Sequence, residues 1–285
     1  MRVYNVAGYT LVAAHLLVSA LMAPAAWGPW GGLGFGALYL LFIWLLGGVY
    51  LSHILHMGIA HRALDFKDSF VKIVALVNNT VGIYINPRTW VNRHRYHHAY
   101  SDHPGDPNKL AGDGFWKTLY LCLAPYPCEA DQARDPILVT RALRFAASPG
   151  LAVVSQLSSY ALLWGLTRDW AYALTLWVSV RVVGLWVNMI QNFWTHDRRF
   201  GTRRYDDPDD NAMNIGDWLP VTATFSACWQ NNHHHYPHLL RLSHDPAEYD
   251  LGFLTVRWMK ALGLVTPSRT GIQLPNNFPL KDLGL

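Results

Sequence analysis

Apolar residues gather in four blocks along the chain, at positions 4–26, 33–55, 151–166 and 170–193. Each is near the roughly 20 residues that a helix needs to cross a bilayer. The third is short as counted and needs a start before Leu151. A fifth apolar segment, 70–85, is interrupted by Lys72, Asn78 and Asn79, which predicts an interfacial or half-inserted helix. The first block has no small-residue cleavage site followed by a soluble domain, so it reads as a retained span and not a removable signal. The pattern predicts an all-α membrane protein. Four transmembrane helices carry a helical cap made of 56–145 and 194–285, in one membrane-embedded domain over 1–285.

Charge gives this pattern an orientation. The linker 24–32 carries no charge, and the link between the last two blocks holds only Arg168 and Asp169. Nearly all Lys and Arg lie in 62–144 and after Phe193. The positive-inside rule puts both regions in the cytoplasm. With an even number of spans both termini lie there too. The low charged content, 15% against 51% hydrophobic, suits a chain whose basic residues serve as membrane anchors. They form no nucleic-acid module. Cys122, Cys128 and Cys228 include no C-x-x-C pair, which argues against an iron–sulfur, zinc-ribbon or dithiol site and against a disulfide framework. No internal repeat or low-complexity segment is present. The acidic run 206–210 reads as a solvated loop. Gly32, Gly34 and Gly36 open a span without a preceding strand, so they read as close helix packing and not as a nucleotide fingerprint.

Candidate chemistry lies in the histidines, 14 in all, most of them clustered beside the apolar blocks. Imidazole carries a polar nitrogen that must be satisfied when buried, so histidine is rarely used in bulk for packing. His94, His97 and His98 stand at i, i+3 and i+4, the spacing of one helix face. Gln230, His233 and His234 repeat it. Asn192 and His196 are one turn apart at the end of the last block. His56 and His61 are five apart and diverge by about 140° on an ideal α-helix, so they reach different ions or the helix ends between them. This is too many ligands for one ion, and two is the natural count. Structural zinc would use four and leave the rest unexplained. A carboxylate-bridged site of the four-helix type needs more glutamate than Glu129 and Glu248 supply. A histidine-rich di-iron site remains, placed where spans meet the cytoplasm.

Taken together, these motifs resemble the membrane-bound fatty acyl desaturases. That family carries H-x4-H, H-x2-HH and H-x2-HH boxes in order, with an N-x3-H pair before the third. Here they stand at His56/His61, His94/His97/His98, Asn192/His196 and Gln230/His233/His234. Trp90, the run from His98 to Asp102, Asn231, Asn232, Pro237 and the pair Gly201 and Arg203 agree as well. The resemblance covers about 47–250. It implies two irons held by these histidines, with Asn192 acting through water, and removal of two hydrogens from an acyl chain at the expense of O2. It implies an integral membrane enzyme of a bacterial inner membrane whose site faces the cytoplasm. The acyl carrier is a CoA, a carrier protein or a lipid. No flavin, haem or nicotinamide site is visible, so electrons come from a separate ferredoxin or small b-type cytochrome. The chemistry agrees with this: an unactivated methylene is too weak an acid for a general base.

One position departs from the family pattern. Gln230 stands where the third box usually has His, and it is an uncertain ligand. Arg198, Arg199, Arg203 and Arg204 are candidates for an anionic substrate head group and equally for membrane anchoring. His15 is expected to bond a neighbouring helix, His53 to be a hydrogen-bonded helix-end residue, and His235 and His238 to lie beside the site or at the surface. His103 and His244 are expected to face solvent, and the run 103–106 to play no part as a haem motif. The same site in other chains could yield a hydroxyl group, a triple bond, a terminal alkene or an oxidised carotenoid. A metal transporter would need polar residues running through the spans, and the clusters stop at one side.

Overall fold

The computed structural model describes residues 1–108, 112–124 and 131–267. Cys128, Glu129 and the part of the expected cap beyond 267 lie outside the described residues. The chain opens with a helical hairpin, α1 (Val3–Met22) and α2 (Gly28–Gly47). Pro29 starts α2, where its missing N–H costs nothing. A Cβ at Gly32 or Gly36 would collide with Ser19 of α1, so these glycines set the distance between the helices, whereas Gly34 faces open space. His15 bonds neighbouring helices as expected: its Nε2 lies 2.8 Å from the Gly36 carbonyl, and its Nδ1 faces the Ser179 hydroxyl.

α2 does not stop at Gly47. It runs on as a π-helix, Gly48–Ala60, making one apolar rod from Gly28 to Ala60. Two separate cores grip this rod. Met57 packs with Tyr4, Trp186, Ile215 and Trp229, while Ile54, Leu55 and Ile59 pack with Val91, Leu138 and Leu143. Its C-terminal carbonyls are closed by Arg95, whose guanidinium reaches Ile59 O at 2.6 Å, Ala60 O at 3.2 Å and the Asp135 carboxylate at 2.7 Å. A cation is favoured there because the last carbonyls of a helix carry partial negative charge.

Then follow α3 (Asp68–Val81), α4 (Pro87–Tyr100), α5 (Phe115–Leu123), α6 (Arg141–Ala146), α7 (Pro149–Thr167), α8 (Trp170–Asn192), α9 (Trp218–Ala223), α10 (Gln230–His235) and α11 (Leu251–Ala261). The polar interruptions of the 70–85 segment end α3 and hold the turn after it. Asn78 donates to Ile83 O, and Asn79 donates to Ile85 O and Ala146 O. Ser148 caps α7, and Asp169 caps α8 by accepting from the Tyr172 N–H, so the one charged pair between these helices also makes their turn.

Among the described residues, three helical stretches are long and apolar enough to cross a membrane: Val3–Met22, Gly28–Ala60 and Trp170–His196. α7, the expected additional span, is a 19-residue helix thinned by Ser155, Gln156, Ser158 and Ser159. The all-α expectation is corrected by a small antiparallel ribbon, β1 (Leu64–Phe66) with β2 (Val265–Pro267), in which Asp65 stands opposite Thr266. Leu64 and Val265 are drawn into the core, and pairing satisfies the backbone of the two extended segments that carry them.

Candidate metal centre

The i,i+5 spacing of His56 and His61 is resolved by the π-helix. The His61 N–H bonds the His56 carbonyl at 3.0 Å, and an i→i+5 bond stacks the two residues on one face. α4 presents His94, His97 and His98, α10 presents His233 and His234, and the 3-10 turn Trp194–His196 that ends α8 presents His196. Their ring nitrogens fall into two groups. Those of His56, His61, His94, His98 and His233 lie within 4.8 Å of one another, as do those of His97, His196 and His234. The groups adjoin, with His98 and His234 ring centroids 4.5 Å apart.

Distances inside the first group suit a shared ion. Nε2–Nε2 separations are 3.0 Å for His56 and His233, 2.8 Å for His61 and His94, and 3.1 Å for His98 and His233. Two nitrogens at right angles, each about 2.1 Å from one ion, stand about 3.0 Å apart. Burial first, and then repulsion from neighbouring histidines, pushes the pKa values of His61, His94, His98 and His233 well below the usual imidazole range. They are therefore neutral, with a nitrogen lone pair to offer.

The second group is braced from behind by carboxylates. His97 Nδ1 lies 2.9 Å from Asp106, His196 Nδ1 3.1 Å from Asp102, and His234 Nδ1 2.5 Å from Asp210. A carboxylate on Nδ1 fixes the tautomer and aims Nε2 at the ion. Burial alone would raise all three carboxyls, but the facing histidines and backbone N–H groups outweigh it and hold them below their usual range. Asp102 and Asp210 also cluster with His196. Because their oxygens serve Nδ1 atoms, this cluster supports the second group and is not a third ion site. Asp102 adopts a left-handed conformation (φ 59°), and Asp106 accepts from the Asp102 and Asn108 N–H groups, so the loop after α4 is built around these acids.

Other sequence candidates have definite places. The Gln230 amide nitrogen lies 2.8 Å from His234 Nε2. The Asn192 amide donates to Asn188 O at 2.9 Å. Arg203 binds the carbonyls of Asp207 and Asp210, and Arg198 also reaches Asp210 O, so they shape the loop that delivers Asp210. Arg204 pairs with Asp245 and Glu248, and Arg199 with Asp197. His53 faces the Gly48 and Gly252 carbonyls, and His238 the His61 carbonyl. His235 pairs with Asp207 and stacks on Tyr205 at 4.0 Å. His103 is exposed, whereas His244, expected in solvent, is half-buried with Nδ1 3.1 Å from the Tyr205 hydroxyl. The expected solvated run 206–210 is likewise only partly so: Asp206 is 97% exposed, but Asp210 is turned inward by His234.

A cavity of about 550 Å³ opens beside both groups. His56, His94, His97 and Gln230 line it at one end. From there it follows α2 and α8 toward Leu40 and Val180, between walls that include Trp44, Leu51 and Val187. A family model of fatty acid desaturases matches residues 54–247, the part of the chain that carries every histidine of both groups. The chain belongs to the fatty acid desaturase family. It is an oxidoreductase of fatty acyl chains. Among its relatives is a hex-5-enoyl-[acyl-carrier protein] acetylenase of Moorena producens, 28% identical over 84% of this chain and 78% of the relative. An sn-1 stearoyl-lipid 9-desaturase of Anabaena variabilis is 28% identical over 83% and 84%. An sn-2 palmitoyl-lipid 9-desaturase of a Nostoc strain is 26% identical over 86% and 84%.

Sequence reasoning missed the bracing acids of this desaturase. Their signal was an aspartate in the loop after two of the four ligand segments, at Asp102 and Asp106 after α4 and at Asp210 after His196. Asp210→Asn is expected to weaken metal binding about 10- to 100-fold, read as metal retained per chain against a graded chelator. Asp206→Asn is the exposed control. Equal retention in both variants would show that the carboxylate contact does not support the site.

Proposed function

We propose that this desaturase uses two irons and O2 to insert a double bond into a fatty acyl chain lying in the cavity. The observation that carries this reading is the meeting of two histidine groups with the head of a largely apolar cavity. In this reading the ligands are His56, His61, His94, His98 and His233 for one iron and His97, His196 and His234 for the other, with Asn192 acting through water. Bound there, the irons supply the oxidising power, drawn from O2, that strips hydrogen from an unactivated methylene. The protein's own part is positional. Asp102, Asp106 and Asp210 keep the protons of three imidazoles on Nδ1, and the walls around Trp44 and Leu51 hold a methylene near the irons and exclude water. Electrons come from a separate ferredoxin or small b-type cytochrome. Arg198, Arg199 and Arg204 are exposed and Arg203 is part-buried, so the first three are the better placed for an anionic head group.

α7 completes four spans, a reading supported by its outward apolar face of Val153, Leu157, Leu162 and Leu166. Trp30, Trp164 and Trp170 are exposed at the ends of α2, α7 and α8 opposite the histidines, as in an interfacial aromatic belt. The cap then faces the cytoplasm. Cysteine labels near Arg134 and Asp209 are expected to react from the cytoplasmic side and one near Pro29 from the other. Labels at Arg134 and Asp209 reacting from opposite sides would break the topology.

Gln230 lies in or beside the ligand shell in this reading. A neutral amide is a weaker ligand than imidazole, so Gln230→Ala should impair turnover strongly, while Gln230→His keeps metal and part of the activity. Full activity of Gln230→Ala would remove Gln230 from the site. The acetylenase relative supports a second reading, a triple bond made at the same site. Mass spectrometry of acyl chains from a host with and without this chain separates the two. A new double bond supports the first reading and a triple bond the second, and an unchanged profile in an iron-replete host with active donor proteins sinks both.

A further inference from the structure

Arg181 is a cation inside the third candidate span, Trp170–His196. At roughly 1.5 Å per residue it sits about 22 Å from His196 along the helix and about 17 Å from Trp170, near mid-depth. Its Nε and Nη2 donate to Gln156 Oε1 at 3.0 and 2.8 Å, Nη2 also to Ser159 Oγ at 3.1 Å, and Nη1 to Trp177 O at 2.9 Å. The guanidinium lies 3.7 Å over the Trp177 ring. All these partners are neutral, and among the described residues no carboxylate pairs with it. Arg181 and Gln156 line the same cavity as His56 and His97, at its far end.

A charge at this depth is costly, and neutral dipoles cover its N–H groups without cancelling it. An acyl methyl group pushed against it would strip water from the cavity end and offer no hydrogen bond. An oxygen function would accept a charge-assisted bond from the second Nη1 N–H, which none of these four bonds uses. We propose that Arg181 and Gln156 make the deep end of the cavity a subsite for an acyl chain whose tail carries oxygen, as a hydroxyl or a carboxylate. This rests on the reading of the cavity as the acyl site.

The test compares methyl laurate, methyl ω-hydroxylaurate and monomethyl dodecanedioate, whose shared ester head keeps head-group recognition out of the comparison. Binding is measured on the metal-loaded full chain in lipid nanodiscs. The two oxygen-tailed esters are expected to bind at least about tenfold more tightly than methyl laurate, the worth of one charge-assisted hydrogen bond. Arg181→Met should erase that preference, with methyl laurate bound at least as tightly as by the parent chain, because its methyl end no longer meets a charge. Arg181→Lys, which keeps the charge if the Met variant does not insert, should shrink the preference. Equal binding of the three esters to the parent chain, or an undiminished preference in a folded variant, overturns the proposal. Failure of all three to bind would instead remove the acyl-cavity reading, and this subsite with it.

Discussion

His97→Ala and His234→Ala are each expected to abolish turnover and lower iron content while the chain still inserts. Both imidazoles belong to the group of three, so either loss leaves too few nitrogens to hold an ion. Folding survives for a local reason. In the His97 variant, Asp106 keeps the N–H groups of Asp102 and Asn108, so the loop after α4 stays closed. In the His234 variant, Asp210 keeps the Ala212 N–H, and Arg203 still holds its carbonyl. His244→Ala should change little, because its ring packs with Tyr205 and Tyr236, outside both histidine groups. The measurements are iron per chain and acyl products of membranes supplied with an electron donor. Full activity with unchanged iron in His97→Ala would end the two-iron assignment.

Arg95→Ala is expected to cost about 2 kcal/mol, the order for stripping a charged donor from buried carbonyls, with Asp135 still paired to Arg62, and to deplete metal from the five-histidine group. The Arg95–Asp135 pair is shielded, with side chains 15% and 10% exposed. Without the guanidinium, the carbonyls of Ile59 and Ala60 lose their donor and the last turn of the π-helix loses its clamp. His61 follows that turn directly and meets His94 only if it is held. Arg95→Lys should rescue poorly, because one ammonium cannot span the two carbonyls, Asp135 and the Gln132 carbonyl that the fork now reaches. Thermal unfolding in detergent and metal per chain check this. A variant as stable and as metal-rich as its parent would show that the π-helix end needs no clamp.

Much of this architecture is legible from local pattern, because burial in lipid demands long apolar runs and a metal demands nitrogens in numbers. The block at 4–26 appears as α1, and the block at 170–193 as α8. The block at 33–55 proves to be part of a longer rod, because nothing in the composition of Gly47 or Gly48 shows that α2 continues as a π-helix. All eight box histidines converge in the structure, and their order along the chain was enough to name them.

What the sequence could not decide concerns partners remote along the chain. Whether His56 and His61 share a face depends on the helix type between them, and that is set by cores packed on both sides and by Arg95 from α4. Asp210 read as a solvated acid because it stands in the acidic run 206–210; only the docking of α10 brings His234 to it. β1 and β2 are three-residue segments whose pairing signal lies some 200 positions away. Arg181 stood in plain view inside an apolar block, but its lining of the same cavity as the histidines exists only once α2, α7 and α8 pack together. Sequence by itself determined which groups were available and which segments are apolar enough to enter a membrane, because solvation acts on each segment separately. Tertiary structure decided which of them meet, because coordination, bracing and ion pairing act between atoms a few ångströms apart, whatever their distance along the chain.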